Sequence, residues 1–193
     1  MVLRAPEVVT AALEICDRYG LADLTMRRVA EQLDVKAGAL YWHFPNKQAL
    51  LAAVSDRVLG ELDLPGDDLA WDAWLRAWAL GLRRTLLAHR DSAELVSSSL
   101  ATELATTDLV GVAARRLVAA GVAADDAGRA VRALLHLTPG QVTLEQNRAT
   151  LVQLGLLDAP DAAVDDADHA AAVDLLLAGL RARSSESHGY RGR

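Results

Sequence analysis

The chain has 193 residues, enough for one large domain or for a small module plus a larger one. Hydrophobic residues make up 52 %, no apolar run reaches the ~20 residues that span a bilayer, and the start, MVLRAPEVV, lacks the apolar stretch of a signal peptide; the expectation is a soluble protein of the cytoplasm with no membrane partner. A net charge of −6 argues against binding a polyanion through a global positive field, and one cysteine, Cys16, excludes an intramolecular disulfide.

The charge is uneven. Arg4, Arg18, Arg27, Arg28, Lys36 and Lys47 balance Glu7, Glu14, Asp17, Asp23, Glu31 and Asp34, so the first 47 residues are neutral and the remainder carries the whole −6. A polyanion would therefore be met at the front, by local placement of charge.

In chain order, Pro6 suits a first helical turn, Val9, Ala12, Leu13, Cys16 and Tyr19 recur at helical spacing, and Gly20 stops the helix. Thr25 is an N-cap for a short helix with Val29, Ala30 and Leu33 on one face. Asp34-Val35-Lys36 breaks it. A third helix is predicted over 37–43, ended by Pro45, and Asn46 caps a fourth running to about Leu62. After the turn chemistry of DLPGDD (63–68), Trp71, Trp74, Leu75, Trp78, Leu82 and Leu86 define a helix. Asp91 is expected to cap the next, and others follow over 107–120, over 125–148 with a disturbance at Pro139-Gly140, and over 169–183, with 156–168 as a loop. No segment alternates as a strand does. The fold class is all-α: a three-helix N-terminal region with the dimensions of a helix-turn-helix, plus a larger helical region. The expected divisions are a helix-turn-helix region at 1–47, a larger helical domain at 48–183, and a disordered polar tail at 184–193.

The second helix, the break and the third have the dimensions of a helix-turn-helix, whose second helix enters the major groove. Val29, Leu33, Val35 and Leu40 would supply its small core, with Ala30 at the close approach. Within ALYWHFPNK (39–47), Leu40 and Phe44 lie four apart and share a face, while Tyr41, Trp42 and His43 are offered outward, suited to phosphates or base edges. Lys47, opening the fourth helix, can meet a phosphate with its charge and with the helix N-terminus. The alternative is a small helical subdomain whose aromatics are all buried.

The stretch LTMRRVAEQLDVKAGALYWHFPNKQALLAAV resembles the DNA-binding domain of the TetR family of transcriptional repressors, through Leu24-Thr25, Arg27, Val29-Ala30, Leu33-Asp34-Val35, Leu40 to Phe44, Asn46-Lys47 and Leu50-Leu51. The resemblance implies that 1–47 is a DNA-binding domain, that 48–183 is a ligand-binding and dimerisation domain, and that the chain sits as a homodimer on a near-palindromic operator. It implies phosphate or base contacts from Thr25 and Arg27, from Ala37, Gly38 and Ala39 at the base-facing start of the third helix, from Tyr41, Trp42 and His43, and from Lys47. Ala37-Gly38-Ala39 offers no long polar side chain for a bidentate base contact. Readout must then rest on Arg27, Lys36, Tyr41 or His43, on thymine methyls met by Ala37 or Ala39, or on DNA shape.

LLAHRDSAEL (86–95) and LTPGQVTLEQ (137–146) are similar to segments of the ligand-binding domain of the tetracycline repressors, a branch of the same family. Those hold a magnesium–tetracycline complex with a His just after HRD and a Glu in a later helix. Here the first position is Val96, and the second aligns with Leu144, with Glu145 one place on. One residue is about 100° of helix, and Val96 cannot ligate a metal. No metal, no cofactor and no magnesium–tetracycline are therefore expected, but a small, largely apolar or aromatic inducer. Candidate lining residues are Trp74, Trp78, Leu82, Val96, Ser99, Leu100, Val110, Val131 and Leu134, though an apolar residue at helical spacing is usually core. The apolar helices 125–148 and 169–183 need two partners each, and the resemblance implies that they form the dimer interface. HRD also occurs in kinases, but no nucleophile elbow, metal-spaced His/Glu pair or Gly-rich phosphate loop accompanies it, so no catalytic residue is assigned. The remaining alternative is a DNA-binding regulator controlled by a protein partner instead of a small molecule.

Overall fold

A computed structural model describes residues 3–102, 104, 106–158 and 166–189. Nine α-helices and no strand occur among them: α1 (Ala5–Tyr19), α2 (Met26–Gln32), α3 (Ala37–Tyr41), α4 (Lys47–Leu59), α5 (Trp71–Leu87), α6 (Ser92–Ala101), α7 (Leu109–Ala119), α8 (Ala124–Gln153) and α9 (Asp166–Gly189). No helix among the described residues is long and apolar enough to cross a membrane.

The chain divides into two compact units, Met1–Leu62 with Arg84–Thr107, and Asp63–Arg83 with Asp108–Arg193. In the first, α1 packs on α2 and α4, and α4 on α6. Val8, Ala12, Ile15 and Cys16 of α1 are buried with Leu50, Val54 and Val58 of α4. Burial pushes the Cys16 thiol up to about 12, which makes it an inert core residue. Helix α1 stops at Gly20, whose φ of 93° lies in the region that favours glycine. A Cβ there would also come within 2.8 Å of an Asp91 carboxylate oxygen.

That carboxylate corrects one expectation. Asp91 precedes α6 but makes no side-chain cap; its oxygen accepts from Leu21 N at 2.8 Å instead. Thr25, Asn46 and Asp108 do cap, accepting from Arg28 N (3.1 Å), Ala49 N (2.8 Å) and Gly111 N (2.7 Å).

In the second unit, α7 packs on α8 and α8 on α9. Leu75, Trp78, Ala79 and Leu82 of α5 are fully buried, with Leu117 of α7, Val131, Leu134 and Val142 of α8 and Val173 and Leu177 of α9. Ion pairs Arg76–Asp174 (2.8 Å) and Arg181–Asp72 (2.7 Å) tie α5 to α9 along its surface. The expected disturbance at Pro139-Gly140 is absent: α8 runs unbroken from Ala124 to Gln153. Pro139 cannot donate to the Leu135 carbonyl, but both flanks, Leu134 and Leu135 before it and Val142 after it, are held in the core, and packing offsets the lost bond. Helix α9 runs past Arg183 through Ser184 to Gly189, in place of the expected polar tail; of that tail, 190–193 lie outside the described residues, as does most of the predicted loop 156–168.

Candidate nucleic-acid interface

Helices α2 and α3 are joined by a turn in which Asp34 adopts φ 52°, a left-handed conformation that Asp tolerates, and Val35 N donates to Ala30 O at 3.0 Å. Beneath them lie Leu24, Met26, Val29, Ala30, Leu40 and Phe44, all buried. Leu33 and Val35, expected in this small core, are half-buried; Leu24 and Met26 take a larger part than spacing suggests. Helix α3 ends at Tyr41, not at His43. His43 N and Phe44 N both donate to Leu40 O at 2.9 Å, closing a turn, because Phe44 precedes Pro45 and that position disfavours the helical region.

The aromatics then separate. Leu40 and Phe44 point in, while Trp42 is 90 % exposed, Tyr41 is 51 % exposed and His43 is exposed. This excludes a subdomain with all its aromatics buried. Thr25, Arg27, Lys36, Ala37 and Gly38 are also exposed, and Ala39 and Lys47 half-buried. A Cβ at Gly38 would meet nothing within 4 Å. The two adjacent arginines diverge: Arg27 Nε bonds Glu31 at 2.7 Å, whereas Arg28 pairs with Asp23 and stacks 3.9 Å from the Tyr19 ring centroid.

Behind this face, the HRD segment clasps the first unit together. His89 Nδ1 lies 3.0 Å from an Asp17 oxygen, at the end of α1, and Nε2 3.0 Å from Glu61, just past α4. Arg57 also pairs with Glu61 at 2.6 Å, and Arg90 N donates to Asp17 at 3.2 Å. Burial alone would lower the imidazole pKa, but the bonds to Glu61 and Asp17 outweigh it and hold it above its ordinary value, while the bond from His89 holds Glu61 below the usual carboxylate range. A raised histidine pKa stabilises the fold fully below about pH 6.5, and that share is lost as pH rises through the folded value. In urea melts across pH, wild type should therefore lose stability relative to His89→Asn as pH climbs above about 6.5; parallel curves would show that the imidazolium contributes nothing. Elsewhere in this unit, Asp56 of α4 accepts from Thr106 N (2.9 Å), Thr106 Oγ1 (2.7 Å) and Thr107 N (2.9 Å), fastening the segment after α6.

The candidate lining residues fall in both units. In the second, Trp74, Trp78, Leu82, Val131 and Leu134 are buried and Val110 is half-buried; in the first, Val96 and Ser99 are buried and Leu100 is half-buried. The Ser99 hydroxyl is spent on Leu95 O at 2.9 Å. Glu145, the carboxylate one place from Leu144, is held by Arg83, a guanidinium only 2 % exposed that bonds Glu145 at 2.8 Å and Asp166 at 2.9 Å. His169, fully buried, bonds Gln141 through Nδ1, and burial together with the Arg83 charge lowers its pKa, so it stays neutral. Nothing in the sequence singles out Arg83 or His169, since their partners lie on other helices. Among the described residues no group of three or more His, Cys, Asp or Glu is placed to hold a metal ion.

An exposed aromatic and basic face on a two-helix motif, carried by an all-helical chain, defines a DNA-binding regulator of the helix-turn-helix class. Residues 8–54 match the bacterial regulatory proteins of the tetR family, and residues 64–165 match the tetracyclin repressor-like C-terminal domain. The class C tetracycline repressor protein of Escherichia coli is 38 % identical over 149 residues, covering 75 % of this chain and 67 % of that protein. Mycobacterium smegmatis BioQ is 41 % identical in crystal structure, with a TM-score of 0.84 over 93 % of this chain and 98 % of that one. BioQ with its natural double-stranded DNA operator gives 40 % identity and a TM-score of 0.75 over 93 % and 99 %. A single-residue variant of TetR from Acinetobacter baumannii AYE, in complex with minocycline, gives 32 % and 0.79 over 94 % and 98 %. The chain belongs to the tetR family: it is a DNA-binding transcriptional repressor with an N-terminal helix-turn-helix, in a family of regulators and not of enzymes.

Proposed function

We propose that the chain represses transcription as a homodimer on a near-palindromic operator and is released by a small, largely apolar or aromatic inducer other than magnesium–tetracycline. The observation that carries the DNA reading is the split at α3: Leu40 and Phe44 buried, Tyr41, Trp42 and His43 exposed. The contacts would come from Thr25, Arg27, Lys36, Ala37, Gly38, Ala39, Tyr41, Trp42, His43 and Lys47. BioQ, at 40 % identity, has been seen on its operator, which supports the same use of the motif here.

Two-fold pairing is supported by the open groove between α8 and α9, of about 510 Å³, with Ala130 and Ala133 on one wall and Leu176, Gly179 and Leu180 on the other. Small residues let a second copy's helices approach closely, and Leu175 and Leu144 add exposed apolar surface for it to cover. For the inducer, Val96 offers no metal ligand and the Glu145 carboxylate is already paired with Arg83, which supports a ligand that brings no cation. Trp74, Trp78, Leu82, Val110, Val131 and Leu134, all of the second unit, remain its proposed surroundings. The inducer need only favour the conformation with the wrong spacing of recognition helices, and a coupling of ~1–3 kcal/mol would weaken operator binding ~5- to 150-fold.

The test is a footprint of the purified protein on the DNA flanking its own gene at two salt concentrations, followed by a panel of aromatic ligands. A two-fold symmetric protected site that weakens steeply with salt is expected, because phosphate contacts release counterions. Protection of a single asymmetric half-site would overturn the homodimer, and a response to tetracycline only with magnesium present would overturn the inducer class.

A further inference from the structure

We propose that Glu31 is a positioning residue, holding Arg27 in the orientation that reads one base pair of the operator. The inference rests on the DNA-contact reading given above. Arg27 and Glu31 lie one turn apart on α2, and Arg27 Nε donates to Glu31 Oε1 at 2.7 Å. Their side chains are 87 % and 59 % exposed, and a pair so open to water adds little to stability. What the pair does is geometric. Arginine is long and rich in rotamers; anchoring Nε to a carboxylate on the same helix confines the guanidinium plane. With Nε engaged, Nη1 and Nη2 remain as two parallel donors, the arrangement that matches O6 and N7 of guanine.

The rest of the motif gives this one side chain unusual weight. Ala37, Gly38 and Ala39 have no polar side chain to send to a base edge, and Lys36 brings a point charge without a planar fork. The neighbouring guanidinium, Arg28, is committed elsewhere, to Asp23 and to the face of Tyr19. Glu31 also has a cost: an exposed carboxylate on the DNA-facing motif repels phosphates. It therefore trades overall affinity for discrimination, and that trade separates it from a residue that merely supports the helix.

The experiment uses the full chain. Wild type is presented with a random-sequence duplex pool, the enriched duplex is recovered, and each of its base pairs is changed in turn. Arg27→Ala should relax discrimination at one base pair per half-site by roughly tenfold or more. Glu31→Ala should relax the same base pair by roughly three- to tenfold while binding to an unrelated duplex stays equal or tightens. Alanine favours the helix, so loss of folding does not stand in for the effect. Glu31→Gln, which keeps an oxygen for Nε–H without the charge, should retain most of the discrimination. If Arg27→Ala relaxes a base pair that Glu31→Ala leaves intact, the positioning role falls and the DNA reading stands. If Glu31→Ala weakens binding to every duplex alike, Glu31 is structural and the proposal is overturned. If wild type enriches no duplex, the DNA reading fails and takes the proposal with it.

Discussion

Combined replacement of Tyr41, His43 and Lys47 by alanine is expected to abolish operator binding for practical purposes, by roughly 100-fold or more, at ~1 kcal/mol or more for each lost hydrogen bond to a charged phosphate. The three side chains are exposed or half-buried, so none is needed to hold the fold; Leu40 and Phe44 do that from the opposite face of the same turn. The single variant Lys47→Ala is the sharper probe. A lysine that meets phosphate reads no sequence, so its loss should weaken operator and unrelated duplex about equally and lower the salt slope by about 1. Fluorescence anisotropy at several salt concentrations measures both. An unchanged slope would remove Lys47 from the contact set.

Trp78→Ala is expected to cost about 3–5 kcal/mol of stability, the range for deleting a large buried aromatic. Trp78 is completely buried, as are Leu75, Leu82, Leu134 and Val131 of the same core, so the hole left behind has no exposed wall through which to collapse. Against the 5–15 kcal/mol of a typical domain, such a loss unfolds a large fraction of the molecules on modest warming. Trp78→Phe should cost much less than the change in ring size suggests. The indole N–H finds no hydrogen-bond partner among the described residues, so the phenyl ring removes a buried donor without taking a bond from any of them. Urea melts with an unchanged m-value would read both variants. A Trp78→Ala midpoint close to wild type would mean that the cavity refills by rearrangement.

Much of the motif is legible in the sequence because its determinants are local. The four-residue spacing of Leu40 and Phe44 separates inward from outward side chains, and Thr25, Asn46 and the stop at Gly20 follow from capping chemistry. The last turn of α3 escapes such a reading because helical spacing persists through His43, while the restriction that Pro45 places on Phe44 acts one residue earlier than a simple stop. Asp91 looks like a cap by position; its partner, Leu21 N, is 70 residues away in sequence, a distance over which periodicity carries no information. The same holds for His89 with Asp17 and Glu61, and for Arg83 with Glu145 and Asp166. Pro139 is the opposite case: a local rule predicts a disturbance, and tertiary packing on both flanks overrides it. Of the nine inducer-site candidates, seven are buried and Leu100 and Val110 are half-buried, but burial in a core and burial around a ligand leave the same mark on a sequence.

The bare start of α3 has a consequence for how such a regulator changes its target. A side chain added at Gly38 meets no atom within 4 Å, and replacing glycine inside a helix favours the helix by up to ~1 kcal/mol. Substitutions there are accommodated without repacking Leu40, Phe44 or anything beneath them. One codon is thus enough to place an asparagine, glutamine or arginine at the start of α3, the end proposed to face bases, and so to add a contact to the one proposed for Arg27. Position 38 is in that sense an uncut tooth of the key, and a short directed library there would be the natural route to orthogonal switches cut from a single scaffold.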